Sequence, residues 1–140
     1  MPAGRGWGYE RLVELIIGSK IASALHVVVD KRLADVLARG PQTAEALADE
    51  VQIPTASLRR FLRALAQIGL FAEVADGVFA NTEVSEHLRS DVPYSLRNMV
   101  TVLDDEPVVQ GWRRFSCVLA SGKPAFDAVN GMGIHRLDQG

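Results

Sequence analysis

One cysteine, Cys117, is all the thiol chemistry in this 140-residue chain. No disulfide can close within it. The sparse usage fits a reducing compartment, and Cys117 reads as a small buried apolar residue. The histidines His26, His87 and His135 lie far apart in different elements, so no short zinc-ligand spacing is present. Basic excess is missing too. A formal net charge of −2 and a pI near 5.9 argue against a dedicated nucleic-acid binder, which clusters positive charge. No serine stands in a G-x-S-x-G elbow. Gly131-Met132-Gly133 follows no predicted strand and opens no βαβ unit, which excludes a nucleotide loop. Asp104, Asp105 and Glu106 read as a solvated helix start rather than a metal site. No metal site, cofactor site or catalytic residue is assigned. The chain carries no basic-plus-apolar secretory start. Its most apolar stretch, residues 12–29, is interrupted by Glu14, Lys20 and His26 and reads as too polar for a membrane span. No membrane partner is therefore expected, and the expected location is the cytoplasm.

What is abundant is apolar surface. Residues 11–29 form a long predicted helix in which Leu12, Val13, Leu15, Ile16, Ile17, Ile21, Leu25, Val27, Val28 and Val29 wrap nearly the whole circumference. A helix apolar on all sides must be covered on all sides. A domain of this length has a modest core, so the simplest cover is a second copy of the chain. Leu12, Leu15, Ile16, Ile17, Ile21 and Leu25 are the expected homodimer contacts. Val27-Val28-Val29, β-branched and of lower helix propensity, could end this helix early. Residues 1–10, with three glycines, are expected to be flexible, Trp7 and Tyr9 docking on a partner.

A second pattern follows. Residues 31–38 make a short helix stopped by Gly40-Pro41. Residues 44–49 make another, capped by Thr43. In the helix of residues 55–68, Leu58, Phe61, Leu62, Leu65 and Ile68 fall on one face, with Arg59, Arg60, Arg63 and Gln67 on the other. Gly69 supplies a left-handed exit. Residues 70–75 and 78–80 then flank Asp76-Gly77, a type I′ hairpin signal. Helix, turn, helix and hairpin make a winged helix. Thr82 caps a short helix over residues 82–88, Pro93 breaks the chain, and further helices are predicted over residues 94–103 and 108–120. The fold class is mainly α: a winged helix with a small β-hairpin wing, plus N- and C-terminal helices interlocking in a dimer. Residues 11–120 form that domain, and residues 121–140 a linker segment.

These residues resemble the N-terminal part of S-adenosylmethionine-dependent O-methyltransferases, in the group of plant caffeate-type and bacterial polyketide-tailoring enzymes. The resemblance rests on residues 12–29, on Leu33-Ala34-Asp35-Val36-Leu37 and on Thr43-Ala44-Glu45-Ala46-Leu47-Ala48. It continues through residues 58–65, Ile68-Gly69-Leu70-Phe71 and Asp76-Gly77-Val78-Phe79. It ends on Trp112, Gly122-Lys123-Pro124-Ala125-Phe126 and Asn130-Gly131. It implies dimerisation and a share of the acceptor-substrate pocket, with Met99, Leu103, Trp112, Phe115 and Phe126 as pocket candidates beside ordinary core packing. The implied ligand is a small aromatic or polyketide-like molecule. The family's methyl-donor domain would begin after about residue 150, so none of its catalytic or cofactor residues is carried onto this sequence. S-adenosylmethionine is implied only for an absent or separate Rossmann-like chain.

Three functions are therefore set side by side. The first is the dimerisation and substrate-lid domain of a natural-product O-methyltransferase. The second is a cofactor-free small-molecule binder or cyclase built on the same domain. The third is a winged-helix DNA-binding regulator, in which Arg59, Arg60 and Arg63 would meet the major groove or its phosphates. Glu73 and Asp76 beside them would repel a phosphate backbone.

Overall fold

The computed structural model describes residues 6–123. It divides after Val100 into two compact units, each taken by itself below. In the first unit, α1 (Trp7–Asp30) starts from Gly6 as N-cap. Residues 7–10, expected to be flexible, are thus helical. Val27-Val28-Val29 do not end it early, because Val28 and Val29 are buried in the core and burial outweighs their lower propensity. Arg32 then takes a left-handed φ of 55° and redirects the chain into α2 (Leu33–Leu37), four of whose five residues are buried.

A short strand unforeseen in the sequence, β1 (Gln42–Thr43), leads into α3 (Ala44–Val51). The Thr43 hydroxyl caps α3 by accepting the Ala46 N–H at 3.2 Å. After Gln52, also left-handed, α4 (Thr55–Gln67) buries Leu58, Leu62 and Leu65. Phe61 is half-buried against the core, whereas Ile68, expected on the buried face, is exposed at the C-cap. Gly69 exits at φ 80°, and the Leu70 N–H closes the helix end on the Leu65 carbonyl at 3.0 Å. This is the left-handed glycine stop the sequence signals.

The sheet is antiparallel with order β1-β3-β2, where β2 is Phe71–Ala75 and β3 is Val78–Asn81. Phe71 faces Asn81 and Glu73 faces Phe79, but Ala75 faces Val78, so the ladder slips by one residue before the turn. The turn is not type I′. That type needs φ > 0 at both central residues, and only Gly77 has it, at φ 69°. The bulge absorbs the difference. Phe71, Phe79, Leu33, Leu47, Leu58, Leu62 and Val28 meet in the core.

Thr82 and Ser85 cap α5 (Glu83–Glu86) reciprocally, a capping box. Ser85, a fully buried polar residue, also donates its hydroxyl to Asn81 Oδ1 at 3.0 Å, and Asn81 in turn donates to the Ala34 carbonyl at 2.9 Å. Hydrogen bonds thus replace the water these polar groups lose. Asp35 accepts the Ser90 N–H at 2.7 Å and its hydroxyl at 2.9 Å, tying the loop after α5 to α2. Burial pushes the Asp35 carboxyl up, but Ser90 and Arg32 outweigh it and hold it below the ordinary range. The division falls within α6 (Arg97–Leu103).

In the second unit, the single helix expected over residues 108–120 is two. These are α7 (Glu106–Arg113) and α8 (Phe115–Ser121), separated at Arg114. Pro107 occupies the first turn of α7, which tolerates a missing N–H. Cys117, read as buried, is exposed on α8.

Candidate self-association surface

The long helix α1 buries only its C-terminal end. Leu12 is 56%, Leu15 61% and Ile16 65% exposed, with Val13, Ile17, Trp7 and Tyr9 also open. Ile21 is half-buried, and Leu25 packs partly against the core. A run of Leu, Ile and Val facing water over several turns is costly for a single chain and is the mark of a surface made to be covered. Two groups must therefore be separated within the expected contacts. Leu12, Leu15, Ile16 and Ile17 belong to the uncovered part, while Leu25 already serves this chain's own core. By length and composition α1 could also cross a membrane, so Glu14, Lys20 and His26 do not disqualify it as the sequence reading supposed.

The five pocket candidates are divided between the two units and the residues outside the description. Met99 lies on α6 in the first unit and is exposed. Leu103, Trp112 and Phe115 belong to the second unit and are exposed there, and Phe126 lies outside the described residues. Trp112 and Phe115 do meet, with ring centroids 5.4 Å apart and planes tilted by 37°, a favourable aromatic separation. A groove of about 450 Å³ lies elsewhere in the first unit. Asp30, Lys31, Arg32, Asp35, Val36, Arg39, Glu50 and Val51 line it. Arg32 pairs with Asp35 and Arg39 with Glu50 across this lining, which leaves it polar and largely self-satisfied.

The basic face of α4 is occupied from within. Arg59 donates to Glu45 of α3 at 2.5 Å. Arg63 forks onto both oxygens of Glu73 on β2, at 2.9–3.1 Å, and reaches Asp76 in the turn at 2.8 Å. The Arg63 guanidinium, helped by the Gly77 N–H, holds the Glu73 carboxyl below its ordinary range. Glu73 and Asp76, expected only to repel a phosphate, bind the Arg63 guanidinium itself. Pairs separated by ten or more residues have no local spacing signal to betray them.

The first unit is thus a small, mainly helical fold with a three-stranded antiparallel sheet and a long helix whose N-terminal part is apolar and exposed among the described residues. The family model for the O-methyltransferase dimerisation domain matches residues 13–91, and the chain belongs to that family. Phenazine O-methyltransferase PhzM of Lysobacter antibioticus is 30% identical over 116 residues, covering 83% of this chain and 34% of that protein. The mitomycin biosynthesis 6-O-methyltransferase of Streptomyces lavendulae is 29% identical over 136 residues, covering 96% and 39%. Among solved structures, N,N-8-amino-8-demethyl-D-riboflavin dimethyltransferase (RosA) from Streptomyces davawensis superposes with a TM-score of 0.76 at 30% identity, covering 91% of this chain and 38% of that one. The chain thus spans between a third and two-fifths of the length of these relatives.

Proposed function

We propose that this chain is the self-association and substrate-covering part of a small-molecule methyltransferase. The observation that carries this reading is the uncovered apolar stretch of α1, in a domain whose family is named for dimerisation. In this reading the winged-helix arrangement of α3, α4 and the hairpin is a scaffold rather than a DNA reader. Leu12, Leu15, Ile16 and Ile17 are buried against a second copy. Trp112 and Phe115, whose rings meet in the second unit, offer an aromatic surface to an aromatic or polyketide-like acceptor. S-adenosylmethionine is held by a Rossmann-like domain carried on other residues, in the cytoplasm. The relatives act on nitrogen as well as oxygen acceptors by their names, so the acceptor atom belongs to the catalytic part and not to this one.

Native mass spectrometry tests the reading. A dimer is expected, together with retention of a planar aromatic probe such as a phenazine, and no stoichiometric S-adenosylmethionine binding by calorimetry of residues 1–140. A folded monomer at micromolar concentration would sink the self-association reading. Micromolar S-adenosylmethionine binding would contradict the placement of the donor site, since a ribose and phosphate-like site needs a strand–loop–helix unit.

A further inference from the structure

The exposed part of α1 is not uniform along its length, and its two halves are complementary in size. Ile21, Ala24, Leu25 and Val28 lie on the side turned to this chain's own core, where they are partly or fully buried. At about 100° per residue the positions opposite them fall on two edges. Leu12, Ile16, Ser19 and Ser23 run along one, and Leu15, Gly18 and Ala22 along the other; all seven are exposed. The bulky ones, Leu12, Leu15 and Ile16, come before residue 17, and the small ones, Gly18, Ser19, Ala22 and Ser23, come after it. A methyl built on Gly18 would meet nothing within 4 Å beyond its own helix, so the small half is an open trough. Ser23 donates its hydroxyl to the Ser19 carbonyl at 3.2 Å, and that donor would enter an apolar seam already satisfied.

Resting on the self-association reading, we propose that α1 pairs antiparallel with α1 of a second copy, the two-fold axis passing level with residue 17. The family's dimerisation model covers residues 13–91 and so includes the whole trough, which makes a second copy its occupant. An antiparallel two-fold pair sets like edges together and reverses their order. Leu12 then falls between Ser19 and Ser23 of the second copy, and Leu15 between its Gly18 and Ala22. Each leucine is a knob over two small residues four apart, and the symmetry repeats both contacts. Such large-against-small pairing fills a helix seam without voids. A parallel pair would instead set Leu12 against Leu15 and leave Ser19 facing Gly18 and Ala22. Bulk would crowd one end and a gap would open at the other, and both are destabilising.

Cysteine pairing reads the orientation, in a Cys117→Ser background that removes the one native thiol. Residues 12 and 23 lie about 16 Å apart along one helix, too far to bond within a chain. Leu12→Cys combined with Ser23→Cys is expected to cross-link the two copies under mild oxidation, read as a covalent dimer on a non-reducing gel. Either substitution alone is expected to give none, since in this arrangement each position lies about 15–18 Å along the axis from its own counterpart. Sedimentation velocity of the reduced variants sets the concentration at which they are dimeric, which separates a wrong orientation from a lost dimer. Ala22→Leu reads the trough itself. It adds apolar surface at an exposed position, which would strengthen a non-specific apolar contact. In the proposed seam it takes the space of Leu15 and should weaken the dimer about tenfold or more, with helix content by circular dichroism unchanged. Cross-linking of either single variant, none in a dimeric sample of the double variant, or tighter association of Ala22→Leu would overturn the antiparallel seam and leave self-association standing. An unmodified chain that is monomeric throughout would overturn both.

Discussion

The sharpest consequence of the α1 surface is what one charge should do to it. Ile16 is 65% exposed in the isolated chain. Burying an isoleucine completely stabilises by about 1.5–3 kcal/mol, so covering the exposed part is worth roughly 1–2 kcal/mol per copy. A symmetric dimer uses the residue twice. Replacing Ile16 by Asp therefore removes about 2–4 kcal/mol of apolar gain, which alone weakens association roughly 30- to 700-fold. An unpaired carboxylate left in the interface adds several kcal/mol more. Adding Ile17→Asp extends the effect along the same part of α1. Neither residue belongs to the cluster around Phe71 and Phe79, so the domain's own core should survive. Sedimentation velocity over a micromolar to nanomolar dilution series reads the result, with far-UV circular dichroism as the check on folding. The unmodified chain should remain dimeric where Ile16→Asp is monomeric or aggregated. Equal dissociation constants for the two proteins would refute the reasoning, because the exposed stretch would then not be the contact.

Three further outcomes follow from the interior. Phe79 is fully buried between the sheet and the helices, and Phe79→Ala should cost about 3–5 kcal/mol, read as a fall in the urea midpoint at unchanged slope. Thr82→Ala removes the α5 cap and the hydroxyl's bonds to the Gly69 and Leu70 carbonyls. A loss of about 1–2 kcal/mol is expected by the same titration. Asp35, held below the ordinary carboxylate value of 3.8 by Ser90 and Arg32 against the opposing effect of burial, contributes stability that is complete above that value. It is lost as pH falls through the lower folded value. Asp35→Asn should therefore flatten part of the acid loss in melting temperature between about pH 5 and pH 2, and an unchanged acid profile would exclude the link.

Much of this protein is set by local pattern. The helical spacing of Leu58, Leu62 and Leu65, the Gly69 exit, the Thr43 and Thr82 caps and the Asp76-Gly77 turn are written within a few residues of where they act. Capping and left-handed exits depend only on nearby backbone. The apolar excess of residues 12–29 is legible in the same way, since it needs only a count of faces. Four features required the folded chain. β1 is two residues long and exists only because Gln42 and Thr43 lie beside Phe79 and Val78. Val27-Val28-Val29 remain helical because the core reaches them. Ile68 turns outward because Gly69 ends the helix beneath it. Glu45, Glu73 and Asp76 meet Arg59 and Arg63 across 10 to 14 residues of sequence. Those pairings depend on where the β2–β3 hairpin folds back, so charge in the sequence marks a basic face, and only tertiary contact shows that Arg59 and Arg63 on it are already paired.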